Sequence, residues 1–477
     1  MAFLHGVETI QIETGIRTIN QVRTGVIGLV GTAPIGTPNN MQVVTNARDA
    51  VTKFGNQLPG FTIPQALDQI FKQGAGSVMV VNVFDSATMT AEEAAEALTI
   101  ANGKATLDYA PIGAIVLENS GQTETYVEGT DYSVDAYGVI TVLDFDSIAE
   151  GASLVATYDR LDTTQVAAAD IIGEVASQVY SGFQLFLTAQ SEFGFTPKIL
   201  ISPTYCELAA VATEMIAKAE ALRGIALIDA PSFASSSDTV SDVIAERGVT
   251  GTYAGFQSAS KSAMLLYPYL KRYDFATDAT VLTPPSPYFA GIISASDNER
   301  GFWFSPSNRQ IQGIVGVELN LTAAINDENS EVNLLNAAGI TTVFQAFGTG
   351  VRTWGNRSAA YPSVSTPDNF IAVERVKNVL NESVELSMLQ FIDLPITTAL
   401  IDSIRESVNA YIRSLIQRGG LIDGVCLYNE DDNPPEQVAN GQLVFQINFI
   451  PPSPAERITF NSFLDITLLE ALNSAAA

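Results

Sequence analysis

The chain has 477 residues, 47% of them hydrophobic and 16% charged, with 52 acidic against 24 basic side chains and a formal net charge of -28. That composition excludes wholesale disorder, and the length exceeds what one core organises, so roughly two to four domains are expected. The acidic field would repel a polyphosphate, which speaks against a nucleic-acid partner. Neither an apolar run of about 18 residues nor a basic-then-apolar leader occurs, so no membrane span, direct membrane binding or signal peptide is expected.

In chain order, Phe3 to Glu13 is β-rich and uncapped and reads as an extended arm. Thr24 to Gly31 and Ser77 to Phe84 are apolar enough for buried strands, and Ile63 to Gln73 between them puts Ile63, Leu67, Ile70 and Phe71 on one helical face. From Asn102 to Gln165 the rhythm changes to short strands (Ala114 to Leu117, Thr125 to Val127, Val139 to Leu143, Leu154 to Tyr158) separated by turn residues. That spacing indicates a small β-sandwich or barrel inserted in an α/β chain. The insert is acidic throughout, with only Lys104 and Arg160 in opposition, as a solvated outer module would be.

The α/β rhythm then resumes: a helix over Val166 to Tyr180, a strand over Lys198 to Ile201, a helix over Thr204 to Leu222, a strand over Ile225 to Asp229, a helix over Asp238 to Glu246 and a strand over Ser262 to Tyr267. A mainly parallel, helix-covered sheet follows from that alternation. Thr397 to Arg418 is an amphipathic helix in which Arg405, Asn409 and Arg413 form a polar stripe, with Arg418 near the end. In so acidic a chain the stripe is either a docking face or a solvated one. Gln442 to Ile450 alternates Leu443, Phe445, Ile447 and Phe449 with mostly polar residues, and Arg457 to Leu469 does the same with Ile458, Phe460, Leu464 and Ile466. Between them Pro451-Pro452-Ser453-Pro454 replaces the two-residue turn of a hairpin, which favours delivering the last strand to another subunit's sheet edge.

Catalytic signatures are missing. Gly55-Asn-Gln-Leu-Pro-Gly60 lacks the lysine of a phosphate loop, and no G-x-S-x-G elbow is present. His5 is the only histidine and lies in the N-terminal arm, so a histidine-based triad in a rigid core is excluded. Cys206 and Cys426, far apart in apolar segments, read as reduced thiols and leave no zinc set. The acidic loop Asn429 to Asn433 lacks calcium-loop spacing and reads as a solvated turn. Two clusters mix charges with aromatics, Asp297 to Phe304 and Arg352 beside Trp354; Asp297, Glu299 and Arg300 could form a polar active site, but loops fixed by ion pairs and aromatic packing are the simpler account.

Several segments carry a resemblance: Phe3-Leu-His-Gly-Val-Glu-Thr-Ile10, Gly25 to Pro34, Ser286-Pro-Tyr-Phe-Ala-Gly-Ile-Ile293 with Asp297 to Gly301, Leu334 to Ile340, Gly350-Val-Arg-Thr-Trp-Gly355 and Pro454-Ala-Glu-Arg-Ile458. Through them the chain resembles the contractile tail sheath proteins of myovirus-type phages and of R-type pyocins. One departure is Ala337-Ala338, where the family's turn would carry a proline.

The resemblance implies a subtilisin-like α/β core domain without protease chemistry, a C-terminal α/β domain facing the tail tube, and extended N- and C-terminal β arms. Mapped on this sequence it gives an arm over 1–20, the α/β core over 21–101 and 166–355, the inserted β-rich domain over 102–165, the tube-facing domain over 356–452 and an arm over 453–477. It further implies stacked hexameric rings of this chain around a tail tube, with baseplate and terminator proteins at the ends. Assembly in the host cytoplasm, a place in the virion, and contraction that drives the tube through the host envelope without a cofactor follow likewise. Strand exchange would use Val7, Ile10 and Ile12 of one arm and Ile458, Phe460, Leu464 and Ile466 of the other, received by Val425, Leu427, Phe445 and Ile447. Arg405, Arg413 and Arg418 would touch the tube. An R-type bacteriocin sheath, an α/β hydrolase-like enzyme and a surface-layer or adhesin protein are the competing readings; the enzyme lacks a nucleophile-base pair and the surface protein a signal peptide.

Overall fold

The structure, a computed structural model, describes residues 19–233, 239–248, 251–274, 278–346, 348 and 350–469. The expected N-terminal strand, with His5, Val7, Ile10 and Ile12, lies outside the described residues. An eight-stranded sheet forms the centre, ordered in space Met41–Val44, Ser77–Asn82, Val26–Gly31, Ile199–Ile201, Ile225–Asp229, Ala263–Leu266, Ile340–Ala346, Gly350–Trp354. The six inner strands run parallel and the two outer ones antiparallel.

The near-continuous apolar runs are explained by burial on both faces. Ile27, Leu29, Val78, Val80, Ile225 and Leu227 pack beneath helices Ile63–Lys72 and Ser286–Glu299. Their chain neighbours Val26, Val30, Met79, Val81, Ala226 and Ile228 enter a second core with Met215 and Ala219 of helix Ala209–Ala221. Successive residues of one strand thus serve different cores, as a period of two requires.

Strands Thr90–Thr99, Ser153–Leu161, Pro111–Asn119 and Thr125–Tyr126 form an antiparallel sheet, and Lys104–Thr106, Val139–Val142 and Tyr132–Val134 a second one. They enclose a core of their own around Leu117, Tyr132, Ile140, Leu154 and Tyr158. This module opens at Thr90, ahead of the expected Asn102, because Ala- and Glu-rich Thr90–Thr99 pairs along Ser153–Leu161. Pairing there overrides strong helix propensity. The helix read over Val166 to Tyr180 is corrected: only Ala168–Ile172 is helical, and Val175–Ala176 pairs with Val179–Tyr180. Gly173 stops the helix at φ 70°, where an added Cβ would lie 1.9 Å from the Ser181 carbonyl oxygen.

Helices Ile371–Met388 and Thr398–Gln417 pack with a hairpin of Asp423–Leu427 and Gln446–Ile450 around Val376, Leu380, Val408, Ile412, Leu415 and Cys426. Thr397 caps the second helix by accepting the Leu400 N–H at 3.1 Å. The first helix is clamped to the sheet by ions. Arg375 pairs with Asp297 at the end of Ser286–Glu299, and Lys198 with Glu382 at 2.6 Å, all with little exposure. No helix among the described residues is long and apolar enough to cross a membrane.

Candidate assembly interface

The C-terminal hairpin has two unlike faces. Cys426 pairs with Ile447 and Gly424 with Phe449, and Cys426, Ile447 and Phe449 pack against the two helices. Val425 and Leu427 project the other way and are exposed, as is Ile450. The ladder begins at Gln446 rather than Gln442 because the Asn433 side chain occupies the earlier position. Its Oδ1 accepts the Val444 N–H at 2.7 Å and its Nδ2 donates to the Val444 carbonyl at 2.9 Å. Phe445, just outside the ladder, packs at 5.4 Å from Tyr428.

Beyond Ile450 the chain leaves its own body. Residues 451–465 join no strand and Ile466–Leu469 is a single 3-10 turn, so the strand read over Arg457 to Leu469 is not formed within the chain. A strand needs a second backbone, and this segment pairs with none among the described residues. Its apolar side chains face solvent: Ile458 is 71% exposed, Phe460 89%, Ile466 77%, and Leu464 fully so. The segment's root is fixed. Arg357 donates through Nε to Glu456 at 3.0 Å, pairs a second time through Nη2, and stacks at 3.8 Å over Phe370.

The basic stripe is less uniform than its spacing suggested. Arg405 pairs with Asp402 at 3.0 Å and Arg413 lies 3.6 Å from Glu406, both on their own helix, and Arg413 stays largely exposed. Asn409 faces the hairpin, bonding the backbone of Cys426. Arg418 donates to Gln21 at 2.6 Å and lies over the Trp303 ring at 5.2 Å, so it ties the N-terminal segment down.

The two polar clusters resolve as packing. Asp297 is consumed by Arg375, and Trp354 stacks on Phe344 at 4.6 Å. A polar constellation that the sequence did not signal lies at the carboxyl end of the sheet, where α/β enzymes place their chemistry. Asp229 accepts the Ser286 N–H at 2.8 Å and its hydroxyl at 2.5 Å, with the Cys206 thiol at 3.5 Å. Burial pushes the Asp229 carboxyl up to about 7 and the Cys206 thiol well above its ordinary range. A nucleophile must be ionised or have a base, and must be reachable. Here a protonated thiol and a carboxyl are sealed in the core, where they bind the first turn of Ser286–Glu299 to the sheet. No group of metal-binding side chains occurs among the described residues, the acidic turn at Asn429 included.

Residues 165–359 match the phage tail sheath protein central domain, 365–465 the phage tail sheath C-terminal domain, and 24–83 the tail sheath protein Gp18 domain III N-terminal region. The chain belongs to the phage tail sheath family. It is 44% identical over 465 residues to the tail sheath protein of Burkholderia phage BcepMu, with 96% of each chain covered. The fold is shared with the sheath of the anti-feeding prophage in its contracted state (TM-score 0.59, 16% identity, 98% of this chain and 100% of that one). It is shared also with the contracted sheath complex of PVC, an extracellular contractile injection system (TM-score 0.57, 15% identity, 98% and 99%). The protein is a phage tail sheath subunit, a structural protein and not an enzyme, and the Asp229 cluster is a fold element.

Proposed function

We propose that copies of this chain polymerise through exchanged strands into stacked six-membered rings around a tail tube. Contraction of that lattice would drive the tube through a host envelope. The observation that carries this reading is the segment after Pro454, an alternating apolar stretch that pairs with no strand among the described residues and exposes Ile458, Phe460, Leu464 and Ile466 after a two-stranded hairpin. A strand of about six residues adding its backbone bonds and two or three buried side chains contributes several kcal/mol per junction. Arms held that way stay paired while bodies rotate, so a metastable lattice can relax to a better-packed one with no nucleotide.

In this reading the sheet domain is subtilisin-like in topology, the 102–165 module decorates the outside, and 356–452 faces the tube, which Arg405 and Arg413 approach. The N-terminal residues Val7, Ile10 and Ile12 supply a second exchanged strand. Baseplate and terminator proteins bound the sheath, which is assembled in the host cytoplasm and carried in the particle. Negative-stain microscopy of the full chain beside a version ending before Pro451 tests the reading. Hollow tubes from the first and monomers from the second are expected, and tubes from both would refute C-terminal strand exchange.

A further inference from the structure

We propose that the arginine-lined cleft between the sheet and the C-terminal helices receives the acidic turn Glu430–Asp432 of a second copy of the chain. The proposal rests on the reading that copies polymerise, and adds a contact that exchanged strands do not provide.

The cleft holds about 1010 Å³ and is lined by Arg300, Arg309, Arg352 and Arg418, with Trp303 and Trp354 among them. The acceptors these arginines find are neutral: Ser296 Oγ for Arg309 at 3.0 Å, the Asn308 carbonyl for Arg352 at 3.3 Å and Gln21 for Arg418 at 2.6 Å. None of the four pairs with a carboxylate among the described residues, and the one acidic residue of the lining, Glu456, is held by Arg357. Such a group runs against a composition of 52 acidic to 24 basic side chains. Like charges gathered without counter-ions repel one another. Burial first and the Arg300 charge second push the Arg309 guanidinium below its ordinary range, and Glu299 offsets this only in part. An anionic partner entering the cleft relieves that repulsion.

The partner is a peptide rather than a free anion. Asn356 lines the cleft at 7% exposure, and its buried Oδ1 has no hydrogen-bond partner among the described residues. A bare acceptor needs an N–H, which a loop backbone carries and a phosphate or carboxylate ion does not. Charge then indicates which peptide. Glu430-Asp431-Asp432 is the only run of three acidic residues in the sequence, and Glu430 and Asp431 are exposed. The turn is already ordered, because Asn429 Oδ1 accepts the Asp431 N–H at 3.4 Å and Asn433 Nδ2 donates to the Asn429 carbonyl at 2.8 Å, so docking fixes little additional chain.

The turn belongs to the far end of the hairpin from its own cleft. The Ile450 end runs on into Pro452 to Glu456 of the cleft wall, whereas the Leu427 end runs on into the turn, at least about 13 Å away along the strands. A cleft at one end and its complement at the other make a heterologous contact, the kind that propagates head to tail into rings or helices.

Charge reversal in the full chain tests the pairing. Arg300→Glu with Arg352→Glu reverses the cleft, Glu430→Lys with Asp431→Lys reverses the turn, and a third chain carries all four changes. Sedimentation at low salt should show each pair raising the concentration needed for polymerisation about tenfold or more, and the fourfold chain returning to within about threefold of wild type. High salt should shrink these differences. Urea midpoints of the subunits check folding, and where the Arg352 change lowers the midpoint, Arg300→Glu alone, on an exposed residue, takes the place of the pair. Either reversal polymerising like wild type would overturn the proposal and leave polymerisation standing, as would impairment of both without recovery in the fourfold chain. A wild-type chain that never polymerises would overturn the polymerisation reading and the proposal with it.

Discussion

Replacing Asp297 with alanine should cost the soluble subunit about 3–5 kcal/mol, the penalty for stranding one member of a buried ion pair. The structure supplies the reason for placing it at that level. The Asp297 and Arg375 side chains are 1% and 5% exposed, and Arg375 Nη1 donates to Oδ1 at 2.9 Å with Nη2 pairing to Oδ2. Without the carboxylate, the guanidinium keeps only the Thr24 carbonyl at 3.5 Å, the outer limit of a hydrogen bond. Arg375→Leu strands the carboxylate in turn and should cost a similar amount. Combining Asp297→Ala with Arg375→Leu removes both charges and should leave the double variant less destabilised than either single one, which requires a coupling of more than about 3 kcal/mol. Urea unfolding followed by fluorescence is suited to the measurement, since Trp303 and Trp354, the only tryptophans, line the same cleft between the sheet and the C-terminal helices. Single losses below about 1 kcal/mol, or additivity within about 0.5 kcal/mol, would refute the claim that this pair locks the two parts together.

Asp229 gives stability a definite pH dependence. Its folded pKa, raised by burial to about 7, lies above its ordinary 3.8, so the native state keeps a proton that the unfolded chain has released. Its contribution is therefore full below about pH 4 and is lost as pH rises to about 7, on the order of 4 kcal/mol in all. The stability difference between wild type and Asp229→Asn, from denaturant midpoints across that window, should fall with pH, and a difference that rises would contradict the assignment. Phe460→Ser and Leu464→Ser should leave subunit stability within about 0.5 kcal/mol because the side chains are already exposed. Each should raise the concentration needed for polymerisation roughly tenfold or more, as sedimentation would show, through lost burial at the junction. Arg413→Glu should likewise spare the monomer but weaken sheath assembled on tubes at low salt; unchanged assembly would remove the stripe from the tube contact.

The sheet was largely legible because its strands are apolar on both faces: Ile225 to Asp229 was read to the residue, and Ser77 to Phe84 to within its last two. What escaped was decided by partners distant in sequence. Thr90–Thr99 has helix-forming composition and becomes a strand only because Ser153–Leu161 lies beside it. Helix Ile371–Met388 carries Glu374, Arg375 and Asn378 on buried positions, which blurs the apolar stripe by which an amphipathic helix is recognised. At the interface the exposed arm was readable from its alternation. Asn409 was not, since a spacing of four with Arg405 and Arg413 made it one of a polar stripe open to docking or to solvent, and only the hairpin's position shows that it bonds Cys426.

In the strand-exchange reading the hairpin strand Gln446–Ile450 and the arm after it are one continuous stretch, and that continuity restricts how the arm can be used. From Ile450 the proline-rich linker extends about 3.1 Å per residue in polyproline II geometry. Arg357 then holds Glu456, so the free length begins at Arg457, roughly 15–20 Å from the end of the ladder. Folding back onto its own edge would demand a tight reversal through residues that lack an N–H and have a fixed φ, and would break the Arg357 contact. Pairing with another copy needs neither. In the strand-exchange reading, the free energy that would close a hairpin in an ordinary domain is thereby reserved for joining subunits.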